Sequence, residues 1–191
     1  MAYIVLLDAD VLHPWVLCGL LLRLAERGLY RPAWSEEILD EVDASLIARM
    51  PEREERIRRR REAIQATFAD ALVPDPAPYL GVVPPGVEPG DRHVVAAALS
   101  ARADAIVTRN IRDFAPDALA EMGLLVQLPD EFLTHQWWLD PGAVTGEVVA
   151  MAAETARPPL TAAEVLSSLE KFAPVFVATV RGSREFADAT R

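Results

Sequence analysis

The sequence predicts an α/β fold with a central, mostly parallel sheet flanked by helices, followed by a helical C-terminal extension. The first segment, Ala2 to Leu7, is a continuous apolar run that ends at an acid, which is typical of a strand buried on both faces. Strand-like and helix-like segments alternate from there to Leu128, which is the pattern of a parallel sheet with helical crossovers. After Pro129 the apolar residues recur mainly at helical spacing.

The first half of the chain contains three predicted helices, and local signals mark their ends. Pro14 is tolerated in the first turn of the first helix, and Gly28 stops it. Ser35 is a good N-cap for the second helix, and the third helix is strongly charged. The predicted elements are a helix from Val11 to Arg27, a strand around Tyr30 to Trp34, and helices from Ser35 to about Arg49 and from Pro51 to Phe68.

The second half begins with a proline-rich connection, Asp70 to Gly90, which holds six of the 15 prolines and is predicted to be largely irregular. The elements predicted after it are a helix from Asp91 to Ala101, a strand from Ala105 to Val107, a helix from Pro116 to Met122 and a strand from Leu124 to Leu128.

The extension is predicted to be helical, and we divide the chain into residues 1–128 and 129–191 on that basis. Thr161 and Glu164 form a capping-box pattern that opens one of its helices. The predicted segments are a helix from Asp140 to Ala156 that Pro158 and Pro159 break, a helix from Thr161 through Phe172, and an ambiguous strand candidate from Pro174 to Val180.

Composition narrows the class of protein. The 191 residues carry a formal net charge of −10, which argues against a protein that coats nucleic acid by charge alone. The single cysteine, Cys18, excludes a disulfide framework and a cysteine-based zinc site. No uncharged apolar run is long enough to span a membrane, and Asp8 and Asp10 interrupt the N-terminal apolar stretch where a signal peptide would lie. We therefore expect a soluble, cytoplasmic protein that makes no membrane contact.

Two acids stand at the carboxyl end of the first predicted strand. Asp8 follows that strand directly, at the edge of a parallel sheet where ligands bind, and burying its charge in the core would be costly. We therefore expect its side chain to point into a crevice, although an aspartate there can also cap the next helix. Asp10 either orients backbone near Asp8 or is the N-cap of the helix that begins near Val11.

Further acids lie on or before other predicted helices. Glu37 and Glu41 share one helix face, where their charges repel each other unless a cation lies between that face and Asp8. A solvated helix face has the same pattern, so both interpretations remain open. Asp91 either caps its helix or projects into the same crevice as Asp8, and His93 beside it is more often a structural residue.

A polar cluster after the strand Ala105 to Val107 repeats the arrangement after the first strand. Its members are Thr108, Asn110 and Asp113. Because oxygen ligands dominate and soft ligands are absent, the pattern favours a hard divalent cation, Mg²⁺ or Mn²⁺. Metal-assisted hydrolysis of a phosphodiester suits such a site, because the cation activates water and stabilises charge on the attacked phosphate.

Four segments in this order resemble the PIN domain, the ribonuclease fold of VapC-type toxins. They are LLDADVL at residues 6–12, SEEILDEV at 35–42, GDRHVVAAAL at 90–99 and VTRNIRDF at 107–114. The resemblance implies a three-layer PIN-like fold. It also implies four catalytic acids, Asp8, Glu41, Asp91 and Asp113, of which Asp8, Asp91 and Asp113 hold the metal.

The resemblance extends to supporting residues, with two departures: Asp10 and a tail, Pro129 to Arg191, that extends beyond a minimal PIN domain. Thr108 and Asn110 match polar positions that orient ligands or water, and Glu37 is the alternative acid one turn before Glu41. The family usually carries Asn or Ser where Asp10 stands, so the site of this chain holds more negative charge. The tail is similar to the helical C-terminal segment of a longer VapC-like subgroup.

The function implied by the resemblance is a Mg²⁺- or Mn²⁺-dependent endoribonuclease, the toxin of a type II toxin–antitoxin pair. Members of the family commonly form homodimers, and a small antitoxin inhibits them by inserting its tail, often through an arginine, into the acidic site. Two alternatives stay open: a metal-dependent nuclease or phosphoesterase that acts on DNA or another substrate, and a non-catalytic PIN-like interaction module. The presence of all four acids counts against the non-catalytic module.

The basic and aromatic residues support more than one interpretation. The run REERIRRRR at residues 53–61 has three interpretations: it steers RNA phosphates, it contacts a partner, or it is a solvated helix with Glu–Arg pairs. Those pairs leave Arg60 and Arg61 in excess. Arg109 and Arg112 are better placed to contact substrate. The predicted pairs are Glu52–Arg56, Glu54–Arg58 and Glu55–Arg59.

The aromatic patch of His135, Trp137 and Trp138 is expected to pack in a core or interface rather than to stack on bases.

Overall fold

A four-stranded parallel sheet forms the centre of the first part of the chain. The computed structural model describes residues 3–154 and 159–191. The sheet has the strand order β2-β1-β3-β4, and Leu6 of β1 pairs with Ala33 on one side and Ile106 on the other. The strands are β1 (Ile4–Leu7), β2 (Arg31–Ala33), β3 (Ala105–Val107) and β4 (Leu125–Gln127). This arrangement confirms the predicted fold class.

Helices connect and follow the strands. In chain order they are α1 (Ala9–Leu12), α2 (Trp15–Glu26), α3 (Glu36–Arg49), α4 (Glu54–Thr67), α5 (Arg92–Ala101), α6 (Pro116–Glu121), α7 (Pro129–Leu139), α8 (Pro141–Glu154), α9 (Ala162–Leu169), α10 (Pro174–Arg181) and α11 (Arg184–Ala189). Short 3₁₀ segments lie at Pro51–Arg53, Ala77–Val82, Pro89–Asp91 and Ile111–Phe114. No helix in the described ranges has the length and apolar character needed to cross a bilayer.

The chain forms two compact units. The first comprises Met1–His13 and Tyr30–Gln127, and the second comprises Pro14–Leu29 and Leu128–Arg191. Helix α2 therefore belongs with the C-terminal helices, although it lies early in the sequence. The division at residues 128 and 129 stays a prediction about independent folding.

Local capping signals account for several helix ends. The Ser35 hydroxyl accepts a hydrogen bond from the Ile38 N–H at 3.2 Å, so α3 begins where the sequence predicts. Thr161 and Glu164 form the predicted capping box at the start of α9. Gly28, with a φ of +78°, lies just beyond the end of α2 in a conformation that favours glycine.

The prediction of one continuous helix from Val11 to Arg27 was wrong. Helix α1 already begins at Ala9, so Pro14 would lie beyond the first turn, where a proline lacks the N–H that the helix needs. The backbone of Pro14 is extended, with a ψ of 119°, and it separates α1 from α2.

Other predicted bounds need smaller corrections. The charged helix starts with a 3₁₀ turn at Pro51–Arg53, and the helix predicted through Phe172 ends at Leu169. The ambiguous segment Pro174 to Val180 is helix α10, not a strand. The Glu54–Arg58 and Glu55–Arg59 pairs are present, whereas Glu52 lies near Arg53 rather than Arg56. The predicted positions Ala2, Ala156 and Pro158 lie outside the described residues.

The second unit is held by a buried carboxylate and apolar helix packing. Glu147 of α8 is 5% exposed and accepts hydrogen bonds from Arg23 and Arg27 of α2 at 3.2 and 2.5 Å. The Trp137 and Trp138 rings meet edge to face with centroids 4.8 Å apart. Trp137 is buried, as expected of a packing residue, whereas Trp138 is 67% exposed.

Candidate active site

The candidate site lies in the first unit, at the carboxyl ends of β1 and β3. Asp8 follows β1, Thr108 follows β3, and the Asp8 N–H donates to the Val107 carbonyl at 3.1 Å. The chain passes from β1 to β2 on one side and reaches β3 on the other, so the strand order reverses between these neighbours. Open α/β sheets bind ligands at such a switch point.

Asp8 is fixed by two hydrogen bonds. Its Oδ1 accepts from the Ala9 N–H at 2.6 Å, and its Oδ2 accepts from the Thr108 hydroxyl at 2.7 Å. Asp8 is 7% exposed, and this burial raises the pKa of its carboxyl, while the two hydrogen bonds oppose the rise. Asp8 is thus the N-cap of α1, and it also stands at the site.

Asp10 connects α1 to the loop after β3. Its carboxylate accepts from the Arg109 N–H at 2.9 and 3.1 Å and lies 3.4 Å from the Thr108 hydroxyl. The alternative that Asp10 caps the helix near Val11 was wrong, because α1 begins earlier and Asp8 holds the cap position. Burial, and then repulsion from Asp8, raise the pKa of Asp10 to about 7.

The loop after β3 holds the fourth acid. The Thr108 hydroxyl accepts from the Asn110 N–H at 3.1 Å, and the Asn110 side-chain amide donates to the Asp113 carboxylate. The Asp113 carbonyl accepts from the Glu88 N–H at 2.7 Å, which ties this turn to the segment before α5. The predicted supporting residues Thr108 and Asn110 therefore order the loop that carries Asp113.

Asp91 and Glu41 approach the same neighbourhood from α5 and α3. Asp91 occupies the cap position of α5, but its side chain makes no capping hydrogen bond. Burial, and then the charges of Asp8, Asp113 and Glu88, raise the pKa of Asp91 to about 6. Burial also raises the pKa of Glu41, with His93 opposing the rise and Asp8, Glu37 and Asp91 adding to it.

His93 lies close to Glu41, which the sequence pattern did not indicate. Its Nδ1 lies 2.8 Å from the Gly90 carbonyl, and its Nε2 lies 3.4 Å from Glu41 Oε1, an ion-pair distance without hydrogen-bond alignment. His93 thus lies between the segment that carries Asp91 and the helix that carries Glu41. Its place as the second residue of a helix that follows an acid was the available signal.

Two models of known protein families match this chain. The family model described as "PIN domain" matches residues 4–112, more than half of the chain. The chain belongs to the PIN domain family. A second model, described as "VapC50 C-terminal domain", matches residues 129–182. Both matches confirm the resemblance drawn from the four motifs and from the tail.

A named relative supports the same assignment of the PIN domain. The protein "Putative ribonuclease VapC50" of Mycobacterium tuberculosis (strain ATCC 25618 / H37Rv) is 37% identical over 91 residues, which are 48% of this chain and 54% of the relative. The match thus spans about half the length of that relative. No solved structure matches this chain.

The donor set of this PIN domain fits a hard divalent cation. The carboxylates of Asp8, Glu41, Asp91 and Asp113 come from four segments and lie close enough for charge repulsion to act between them. In residues 3–154 and 159–191 no three acidic, histidine or cysteine side chains are arranged to hold one ion by themselves. Mg²⁺ commonly takes only one or two carboxylates, with water and substrate phosphate as its other ligands. A cation in this neighbourhood would offset the repulsion.

The arginines predicted to contact substrate differ in their surroundings. Arg109 and Arg112, in the loop and turn after β3, are exposed. Arg60 Nη2 donates to the Leu12 carbonyl at 2.9 Å. The expectation that Arg61 is in excess was wrong, because α3 faces it with acids. Its ion-pair partners are Glu36, Asp40 and Asp43.

Proposed function

We propose that this PIN domain chain is a Mg²⁺- or Mn²⁺-dependent endoribonuclease that hydrolyses RNA phosphodiester bonds. One observation carries the proposal: the acids come from four separated segments, yet the charges of Asp8 and Asp113 act on Asp91, and those of Asp8 and Asp91 act on Glu41. The matches to the PIN domain and to the VapC50 C-terminal domain support it. We further propose that the protein is the cytoplasmic toxin of a toxin–antitoxin pair, a homodimer inhibited by a small antitoxin.

In this proposal the chain holds its acids in place before substrate arrives. Asp8, Asp91 and Asp113 would hold the cation, which when bound supplies Lewis-acid activation of water and charge stabilisation. The Thr108 hydroxyl fixes the orientation of Asp8, and Asn110 fixes that of Asp113.

We assign proton transfer to Glu41, the one of the four catalytic acids that is not proposed to hold the cation. Its pKa is raised, mainly by burial, so its carboxyl exchanges a proton closer to neutral pH than an ordinary glutamate does. His93, 3.4 Å from Glu41 Oε1, limits where that carboxylate can lie. Arg109 and Arg112 are exposed in the loop and turn after β3 and would contact the RNA strand.

The test is cleavage of a labelled single-stranded RNA by Asp8→Asn and Asp91→Asn variants. We expect each substitution to lower the Mg²⁺-dependent rate by at least about a hundredfold, as removal of a group that stabilises developing charge does. Asp117→Asn is the matched control, since Asp117 is an exposed acid on α6, and its rate should equal that of the wild type. RNA cleavage that proceeds equally well in excess EDTA would contradict the mechanism.

Two further experiments separate the proposed toxin ribonuclease from the alternative functions. A DNA strand of the same sequence, cut faster than the RNA, would identify a deoxyribonuclease. Induced expression in bacterial cells should arrest growth with the wild type and with Asp117→Asn, but not with Asp91→Asn. Growth arrest by the Asp91→Asn variant would contradict a toxin that acts through this site.

A further inference from the structure

His13 follows α1 at the end of that helix farther from Asp8, and the charges of three arginines act on it. Arg60 Nη2 reaches this end and donates to the carbonyl of Leu12, the residue before His13. Burial, and then the positive charges of Arg49, Arg60 and Arg109, lower the pKa of His13. These charges come from α3, α4 and the loop after β3, so three separated segments deliver them to one imidazole.

The environment of His13 favours an anion. Its Nε2 atom is buried and has no hydrogen-bond partner among the described residues. A buried nitrogen without a partner is unfavourable, and the positive charges of three arginines near one ring repel each other. An anion that accepts hydrogen bonds from these groups would relieve both costs.

Arg49 differs from the other arginines of the α3–α4 region. Arg58 and Arg59 pair with glutamates one turn earlier on α4, and Arg61 pairs with acids of α3. Within the described ranges, by contrast, no acid forms an ion pair with Arg49, which is exposed at the last residue of α3. Its guanidinium group is thus available to a ligand.

We propose that His13, Arg49, Arg60 and Arg109 form a subsite for an RNA phosphate next to the one that is cleaved. The subsite rests on the proposed nuclease function. Helix α1 has four residues, and its length of about 6 Å lets one nucleotide strand meet both Asp8 and this cluster. Guanidinium groups bind phosphate oxygens in a bidentate manner, which suits a backbone contact that reads no base.

The proposed nuclease function favours RNA over an acidic protein segment. Asp8 and Asp10 repel the phosphates of RNA and the carboxylates of a peptide alike, but the proposed reaction already brings an RNA strand to Asp8. A strand held there needs to extend only by the length of α1 to reach the cluster. The acidic segment is therefore the alternative that the experiment must separate.

The test compares single arginine variants of the full chain in binding to a short RNA. Fluorescence anisotropy in EDTA, across a series of KCl concentrations, measures affinity without cleavage. We expect Arg49→Gln and Arg60→Gln each to weaken binding about tenfold and to reduce the slope of log K against log salt by about 0.7. Arg59→Gln removes the same charge from an exposed pair on α4, and it should leave affinity and slope unchanged.

An NMR measurement on the imidazole gives a second readout. Adding the RNA should shift the His13 ring resonances in the wild type and in Arg59→Gln, and should shift them less in Arg49→Gln. The subsite is overturned if all three arginine variants bind alike and the His13 signal does not move, or if the wild type binds no RNA at low salt. It is also overturned if a glutamate-rich peptide moves that signal at lower concentration than RNA.

The two proposals fail in different ways. RNA cleavage by the wild type in Mg²⁺, with no effect of Arg49→Gln on binding, would leave the nuclease standing and remove the subsite. Arginine-dependent RNA binding with no cleavage under any metal condition would show that the cluster binds phosphate, and it would contradict the nuclease and a subsite that serves cleavage.

Discussion

Asp8 and Asp10 stand two positions apart and serve different purposes. Asp8 ends the central strand and is bound by the Ala9 N–H and the Thr108 hydroxyl, so it keeps one orientation at the switch point. Asp10 accepts from the Arg109 N–H and holds the loop that leads to the last acid. Both carboxylates are largely buried, and they repel each other. Asp10 therefore orders the loop but adds negative charge to the site.

The negative charge of Asp10 predicts that the stability of the metal-free protein depends on pH. The pKa of Asp10 rises from its ordinary 3.8 to about 7, so between these values the folded chain holds a proton that the unfolded chain has released. A raised carboxyl pKa thus gives stability at low pH that is lost as pH rises from about 4 to 7. Asp10→Asn should remove this loss, and in EDTA at pH 8 it should raise the free energy of unfolding by roughly 2 kcal/mol.

Urea denaturation at pH 5 and pH 8 measures this effect. The asparagine retains an oxygen that can accept from the Arg109 N–H, so the loop contact survives the substitution. Asp117→Asn, at an exposed acid, should show the wild-type pH dependence. An Asp10→Asn variant that loses as much stability between pH 5 and pH 8 as the wild type would refute the assignment.

At the scale of single residues, the sequence indicated which strand ends carry acids but not which residues contact those acids. The order of strand ends was enough to bring Asp8 and Asp113 together, because carboxyl ends of parallel strands share one edge of a sheet. The proximity of His93 to Glu41 was not predictable, since it depends on the rotation of α3 against α5. The pairing of Arg61 was missed for the same reason, because only the packed helices bring acids of α3 to it.

Arg61 of α4 pairs with three acids of α3. Arg61 is 19% exposed in its side chain and lies 2.6 Å from Asp40 and 3.0 Å from Asp43, with Glu36 as a third partner. Burial opposes its charge, but hydrogen bonds to these acids outweigh that effect and raise the pKa of Arg61. The guanidinium is thus a structural contact, and the acids of α3 away from the site are neutralised locally.

Arg61→Gln should therefore destabilise the protein by about 1 kcal/mol, since a network of partly exposed pairs exceeds the value of one surface pair. Arg59→Gln breaks a single exposed pair with Glu55 and should cost about 0.3 kcal/mol. Urea denaturation at low and high KCl measures both, and salt should reduce the Arg61 effect. If both variants lose the same free energy of unfolding, the three-acid network adds no stability beyond that of a single surface pair.

The start of a helix could be predicted from the sequence where a capping residue close in the chain determines it. The caps at Ser35 and Thr161 need only neighbours three residues away, and both form as predicted. The break at Pro14 was misjudged because it depends on where α1 begins. That start is set by Asp8, which the strand pairing of β1 places, and a local pattern does not contain this information.

At the scale of the whole molecule, the two compact units are not two consecutive stretches of the sequence. Helix α2 belongs to the second unit with α8 and α9, and Arg23 and Arg27 on it both bind the buried Glu147. The backbone of Gly19 also lies so close to Met151 that an added Cβ would be 3.3 Å from its terminal methyl group. A cut at residue 128 would remove these partners of α2 while keeping the helix itself.

We therefore expect the fragment of residues 1–128 to expose the side of α2 that packs against α8. It should bind the dye ANS and lose the cooperative urea transition of the full chain, because apolar surface and two arginines are left without partners. The fragment of residues 1–182 is the control: it removes only α11, which buries no residue, and should unfold as cooperatively as the full chain. If residues 1–128 unfold cooperatively without binding ANS, the predicted boundary marks an independent domain, and α2 does not need its C-terminal partners.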